Sequence, residues 1–104
     1  MLTDTKLFIN GVWRPASDEA RAPVHNPATG EVIGQHAMAT KADLEEAVQA
    51  AETAFATWRE VSAMERGAIL RRAATALRDR MPEVARVLTL EMGKPLAEAE
   101  NELR

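Results

Sequence analysis

The chain has 104 residues, 46% of them apolar, a net charge of −3 and no cysteine. That length allows one small domain with a modest core, and the apolar share argues against disorder throughout. The mildly acidic balance gives no reason to expect nucleic acid or an anionic membrane as partner. The missing cysteine excludes disulfides, thiolate metal sites and a thiol nucleophile within these residues.

The opening stretch MLTDTKLFIN lacks the basic region and long apolar run of a secretory signal. No later stretch approaches the ~20 apolar residues that span a bilayer. A cytoplasmic protein with no membrane partner is the expectation. KLFINGVWRP then sets Asn10-Gly11 between two short apolar runs. Asn-Gly suits a type I′ hairpin turn, which needs positive φ at both central residues. Pro15 ends the second strand or keeps it at an edge. Ala16 to Ala22 is polar and reads as loop. VHNPATGEVIG is a second strand–turn–strand: Pro27 presets φ for a turn and Gly30 supplies a left-handed position. Val24, Val32 and Ile33 are its strand residues.

Helix one is predicted over about Thr40 to Arg59. Thr40 caps it, with Asp43 at the third position of a capping box. Leu44, Ala47, Val48, Ala51, Phe55 and Trp58 form one apolar stripe. Helix two is predicted over about Ala63 to Arg80, opened by the capping box Ser62-x-x-Glu65. Its stripe is Ile69, Leu70, Ala73, Ala74, Leu77 and Met81. Pro82 breaks the pattern, because the residue before a proline avoids the helical region. Helix three follows over about Pro82 to Met92, with Gly93 as its left-handed cap. Helix four begins at Pro95, placed at the first helical position where its missing N–H costs nothing. Leu96, Ala99 and Leu103 continue it at helical spacing. The reading is an α+β fragment: β-hairpins over residues 1–39, then three to four helices over 40–104. The four aromatics, Phe8, Trp13, Phe55 and Trp58, make a thin core for it.

The chemistry-bearing residues are few. His25 and His36 are the only histidines, and their spacing suggests strand residues rather than a metal site. Arg66, Arg71, Arg72, Arg78 and Arg80 make helix two basic, but Glu65 and Asp79 interrupt the run. A solvated face, or partners for neighbouring carboxylates, fits this better than a nucleic-acid helix. Glu91, Glu98, Glu100 and Glu102 follow a helical pattern that solvation explains. Gly93-Lys94 lacks the upstream glycine and following Ser/Thr of a phosphate loop. From residues alone, no catalytic site emerges.

Four stretches taken together resemble the N-terminal part of the NAD(P)-dependent aldehyde dehydrogenase superfamily: LFINGVW, NPATGEVIG, Trp58 followed by ERGAILRRAATAL, and LTLEMGKPLAEA. TLEMGKPLAEA is most similar to the succinate-semialdehyde dehydrogenase branch. The resemblance implies a piece of an α/β enzyme, with residues 40–104 in the helical region of its cofactor-binding domain. It implies oxidation of a small aldehyde such as succinic semialdehyde to the carboxylate with NAD or NADP. Family members are far longer. Their catalytic cysteine, general-base glutamate and nucleotide-binding glycines lie downstream, so no catalytic or cofactor residue is assigned here. The fragment by itself is expected to be inactive and to bind no cofactor. Its expected partners are the remainder of the chain, further subunits of a homo-oligomer, and the aldehyde. Some family members hold a monovalent cation, and the matching positions here are the carbonyls of Val24 and His25 and the carboxylate of Glu91, where cation-binding members commonly have Asp; the resemblance puts at least one further ligand downstream. The alternative for Glu91 is pairing with an arginine. The alternative for the chain is an independent helical protein-interaction module without activity.

Overall fold

The computed structural model describes residues 4–104; Met1 to Thr3, part of the opening stretch considered above, lie outside the described residues. Two small hairpins precede four helices: β1 (Leu7–Ile9), β2 (Val12–Arg14), β3 (Arg21–His25), β4 (Val32–Ala37), α1 (Lys41–Trp58), α2 (Ala63–Asp79), α3 (Met81–Met92) and α4 (Leu96–Glu102). They group into two compact units. Of the described residues, one holds 4–24 and 32–61; the other holds 25–31 and 62–104.

In the first unit, β1 and β2 pair antiparallel, with Leu7 opposite Arg14, Phe8 opposite Trp13 and Ile9 opposite Val12. Asn10 and Gly11 take φ of 50° and 78°, the two positive values that a type I′ turn demands. On one face of the hairpin Phe8 and Trp13 stack at 4.7 Å and stay exposed. Ile9 is buried, and β1 packs on α1. β3 pairs with β4, and Thr5 adds a parallel bridge to His36 on β4. β3 begins at Arg21, two residues inside the stretch read as loop. There the backbone is already tied: the Met38 N–H donates to the Ala20 carbonyl at 2.9 Å. α1 starts as its capping box predicts, with reciprocal Thr40 and Asp43 hydrogen bonds.

In the second unit α2 packs on α3 and α3 on α4. Ala85 on α3 and Ala99 on α4 are fully buried. The Ser62–Glu65 capping box opens α2. Arg80 then serves both as the C-cap of α2 and the N-cap of α3. Met81 therefore belongs to α3, not to the stripe of α2. Pro82 falls in the first turn of α3, where a proline has no intrahelical hydrogen bond to lose. Pro95 is the N-cap of α4 rather than its first residue, with ψ of 139°. Its carbonyl accepts from Glu98 and Ala99. Gly93, at φ 71°, closes α3 by donating to the Thr89 carbonyl at 2.9 Å.

The helices carry most of their large apolar side chains in the open. Leu44, Val48, Phe55 and Trp58 on α1, and Met64, Ile69, Leu70 and Leu77 on α2, are all exposed. Among the described residues the buried apolar side chains are Ile9 and Ala16 in the first unit and Ala85 and Ala99 in the second. Each pair is small and removes little apolar surface from water.

Candidate functional site

Two polar centres stand out, one in each unit. The first is Asp43, a carboxylate with no exposed surface. Five donors converge on it: Arg14 Nη1 at 2.8 Å, the Ser17 N–H at 3.1 Å, the Ser17 hydroxyl, the Thr40 N–H at 2.8 Å and the Thr40 hydroxyl at 2.9 Å. Arg14 reaches on to Glu46 at 2.6 Å. The Ser17 hydroxyl, then the Thr40 backbone, hold the Asp43 carboxyl well below the usual carboxylate range. Asp43 in turn keeps Arg14 more firmly protonated than a free guanidinium. A buried carboxylate whose oxygens are already taken cannot serve as a base for a substrate. It fastens the loop after β2 to the first turn of α1. The capping role is legible in the sequence; the links to Arg14 and Ser17, 29 and 26 positions away, carry no local signal.

The second centre is the Asn26–Gly30 turn. Asn26 Oδ1 accepts from the Ala28 N–H at 2.9 Å, the Asn26 carbonyl accepts from the Gly30 N–H at 2.8 Å, and the Asn26 N–H donates to the Glu31 carbonyl at 2.9 Å. Gly30 has φ of 75°. His25, the last residue of β3, has its Nδ1 3.2 Å from the Gly30 carbonyl. The turn rests on the end of α3: a Cβ placed on Gly93 would lie 3.0 Å from Pro27 Cγ. Glu91, two residues before Gly93, is exposed on the last turn of α3. Ion pairs among the described residues engage other carboxylates, including Asp4, Asp43, Glu83 and Glu102, so an arginine partner for Glu91 is not what the structure shows. Val24 is half-buried on β3, and His25 is exposed. His25 thus belongs to the same unit as Glu91, whereas Val24, one residue earlier on β3, belongs to the other unit.

The arginines of α2 behave as a solvated face. Arg71 and Arg72 line an open groove along the helix with Ala68, Thr75, Ala76 and Asp79. Arg80 pairs with Glu83 at 2.8 Å, and Arg78 reaches the Arg104 carbonyl at 3.5 Å.

The starts of α1 and α2 are closed to a nucleotide pyrophosphate. Such a group takes the free N–H donors at a helix start reached through a glycine-rich turn. Here β4 leads into α1 through Met38, Ala39 and Thr40, and the first turn of α1 already holds the Asp43 carboxylate. The first turn of α2 holds Glu65 in the same way.

Against known proteins, residues 13–104 match the pattern of the aldehyde dehydrogenase family. A 4-(hydroxymethyl)benzenesulfonate dehydrogenase from Comamonas testosteroni is 46% identical over 97 residues, which is 93% of this chain and 20% of the relative. The crystal structure of a succinate-semialdehyde dehydrogenase from Burkholderia pseudomallei superposes with a TM-score of 0.92 at 40% identity, over 95% of this chain and 20% of that one. A betaine aldehyde dehydrogenase variant from Staphylococcus aureus, solved in complex with NAD+, also gives 0.92, at 31% identity over 95% of this chain and 20% of that one. The chain thus spans about a fifth of the length of the relatives it matches.

Proposed function

The chain belongs to the aldehyde dehydrogenase family, and from that premise we propose that it forms the N-terminal portion of an NAD- or NADP-dependent enzyme oxidising a small semialdehyde to the carboxylate. Succinic semialdehyde is the substrate of choice, and these 104 residues by themselves turn nothing over. The observation that carries this reading is the family match from residue 13 to residue 104 in a chain without cysteine. Aldehyde oxidation through a covalent thioester requires a thiolate nucleophile. The substrate class is supported by the 40% identity to a succinate-semialdehyde dehydrogenase. The cofactor is supported by the NAD+ complex of a relative, and its binding falls to residues beyond these.

The role of this portion is to build scaffold. Its hairpins and helices present apolar faces for other polypeptide to cover, which supports a place inside a longer, homo-oligomeric enzyme. The reading includes a cytoplasmic setting. Among the described residues no helix is long and apolar enough to cross a membrane. The reading includes a monovalent cation taken by the backbone carbonyl of His25 and the carboxylate of Glu91, with further ligands outside these residues; hard oxygen donors are what such a cation takes. Bound there, it would supply charge that ties the turn to α3. The decisive experiment follows the absorbance of reduced cofactor with succinic semialdehyde, for the 104-residue chain and for any longer chain that contains it. Turnover by the longer chain alone is the expected result, and turnover by the 104 residues would overturn the reading. The bare faces of α1 and α2 also favour a second reading, a helical interaction module, which predicts that no longer chain with these residues oxidises aldehydes.

A further inference from the structure

We propose that Asn10 is a site of spontaneous deamidation, gated by opening of the β1–β2 hairpin. In this reaction the Gly11 nitrogen attacks Asn10 Cγ. A C–N bond forms and closes a succinimide ring. The bond from Cγ to the side-chain nitrogen breaks, and ammonia leaves with the Gly11 proton. Nothing is oxidised or reduced. Water then opens the ring. Breaking the nitrogen's bond to Cγ gives aspartate; breaking its bond to the main-chain carbonyl carbon gives isoaspartate, whose backbone runs through Cβ. The chain holds three asparagines, and their surroundings separate them. Asn26 is followed by Pro27, whose nitrogen has no hydrogen to give up. Its Oδ1 is also engaged by the Ala28 N–H at 2.9 Å. Asn101 and the following Glu102 both lie in α4, so the nitrogen that would attack is fixed in helical backbone beside a long side chain. Asn10 meets none of these obstacles. It is exposed at the hairpin tip and a glycine follows it. A Cβ at Gly11 would meet no atom within 4 Å. Among the described residues no hydrogen bond ties down the Asn10 side chain or the Gly11 N–H.

Ring closure swings the Gly11 nitrogen round to Cγ. The paired strands forbid that rotation while Ile9 stays opposite Val12. Each event therefore begins with a brief local opening of the hairpin. Opening is easy here, because each strand has three residues and a two-stranded ribbon is marginal in water. The exposed Phe8–Trp13 stack and the buried Ile9 work to keep it closed. The two products then differ. Asp-Gly suits the same type I′ turn, so the aspartate form lets the hairpin close again. Isoaspartate puts an extra carbon into the backbone between Ile9 and Val12. The register that sets Phe8 against Trp13 and buries Ile9 cannot then be restored. Chemistry at an exposed turn thereby reaches the packing of β1 on α1.

The test ages the 104-residue chain at mildly alkaline pH and follows each asparagine by peptide mapping with mass spectrometry. Enzymatic methylation of isoaspartate counts the isomer. Asn10 should convert first, to both aspartate and isoaspartate, with Asn26 and Asn101 still intact. Phe8→Ala removes the aromatic stack and leaves Asn10 and Gly11 untouched. It should speed the conversion roughly two- to fivefold, the weight of one cross-strand aromatic pair. The aged chain should show a second melting transition several degrees lower, in proportion to its isoaspartate content. Asn10→Asp, which carries the added charge without the isomer, should melt as the native chain does. Conversion of Asn26 or Asn101 ahead of Asn10, or no conversion at all, overturns the site. An unchanged rate in Phe8→Ala overturns the gating by the hairpin. Should Phe8→Ala fail to melt cooperatively, Trp13→Ala carries the same comparison from the other strand. An isoaspartyl chain that melts like the native one, or an equal drop in Asn10→Asp, overturns the loss of register as the consequence.

Discussion

Replacing Ser62 by alanine isolates one helix start. The Ser62 hydroxyl accepts from the Glu65 N–H at 3.2 Å and donates to Glu65 Oε2 at 2.7 Å, while the Ser62 N–H donates to the same carboxylate at 3.2 Å. Ser62→Ala deletes the first two bonds and leaves the third. The Glu65 N–H loses its acceptor at an exposed site, so water can take part of the load. The expected cost is about 1 kcal/mol, the middle of the ~0.5–2 kcal/mol span for N-cap serines. In a domain of this size that lowers the melting temperature by roughly 4–8 °C. Circular dichroism at the helix band during a thermal ramp measures it. Ser62→Thr, which keeps a capping oxygen, should recover most of the loss. The same hydroxyl, and then the Ser62 backbone, holds the Glu65 carboxyl below its ordinary value of 4.5. A depressed carboxylate stabilises the fold above its unfolded value and loses that contribution as pH falls through the folded one. The gap between the native chain and Ser62→Ala should therefore shrink below about pH 4.5. An unchanged melt in Ser62→Ala, or equal loss in Ser62→Thr, would refute a helix that begins at this cap.

Asp43→Asn should lower the melting temperature at pH 7, because an amide cannot accept from all five donors now bound to the carboxylate. That deficit should narrow as pH falls below the ordinary aspartate value of 3.8, where the unfolded native chain takes up a proton that folded Asp43 refuses; a constant gap down to pH 2 would contradict the shift. Exposed Phe55 and Leu70, at 59% and 66% of their surface, should drive self-association at micromolar concentration. Sedimentation velocity should show dimers or larger species, reduced in Phe55→Glu, and a compact monomer that ignores hydrophobic dyes would count against it. Gly11→Ala meets no atom within 4 Å, so its cost should be the positive φ alone, about 1–2 kcal/mol by urea unfolding; a neutral result would mean that the hairpin turn differs from the one described.

What is legible in the sequence is what chemistry writes locally. The Asn10-Gly11 turn, the two capping boxes and the Gly93 cap each declare themselves within five residues, and each is present. Pro82 and Pro95 sit one position away from where the sequence places them. A proline fits the first helical turn and the cap before it almost equally well, so neighbouring residues decide, and Arg80 and Leu96 hold the positions that sequence assigns to others. Arg14, Ser17 and Asp43 cannot be joined by any periodicity, since a long-range polar cluster leaves no spacing in the chain. The two oxygens expected from the turn and the carboxylate of Glu91 come from resemblance; the contact that gathers those segments, Pro27 on Gly93, has no trace in composition.

That contact also sets an order in time. Pro27 and Gly93 are 66 positions apart (93 − 27), and the turn belongs to a unit otherwise made of residues 62–104. At about 5–20 residues per second, a ribosome needs roughly 3–13 s after making Pro27 before Gly93 exists. Through that interval the Asn26–Gly30 turn has only its own hydrogen bonds and no surface to rest on. All segments of the first unit are made before Ser62. The newborn chain is thus built as a finished half carrying a waiting loop, and assembly of the second half begins with the capture of a segment made long before.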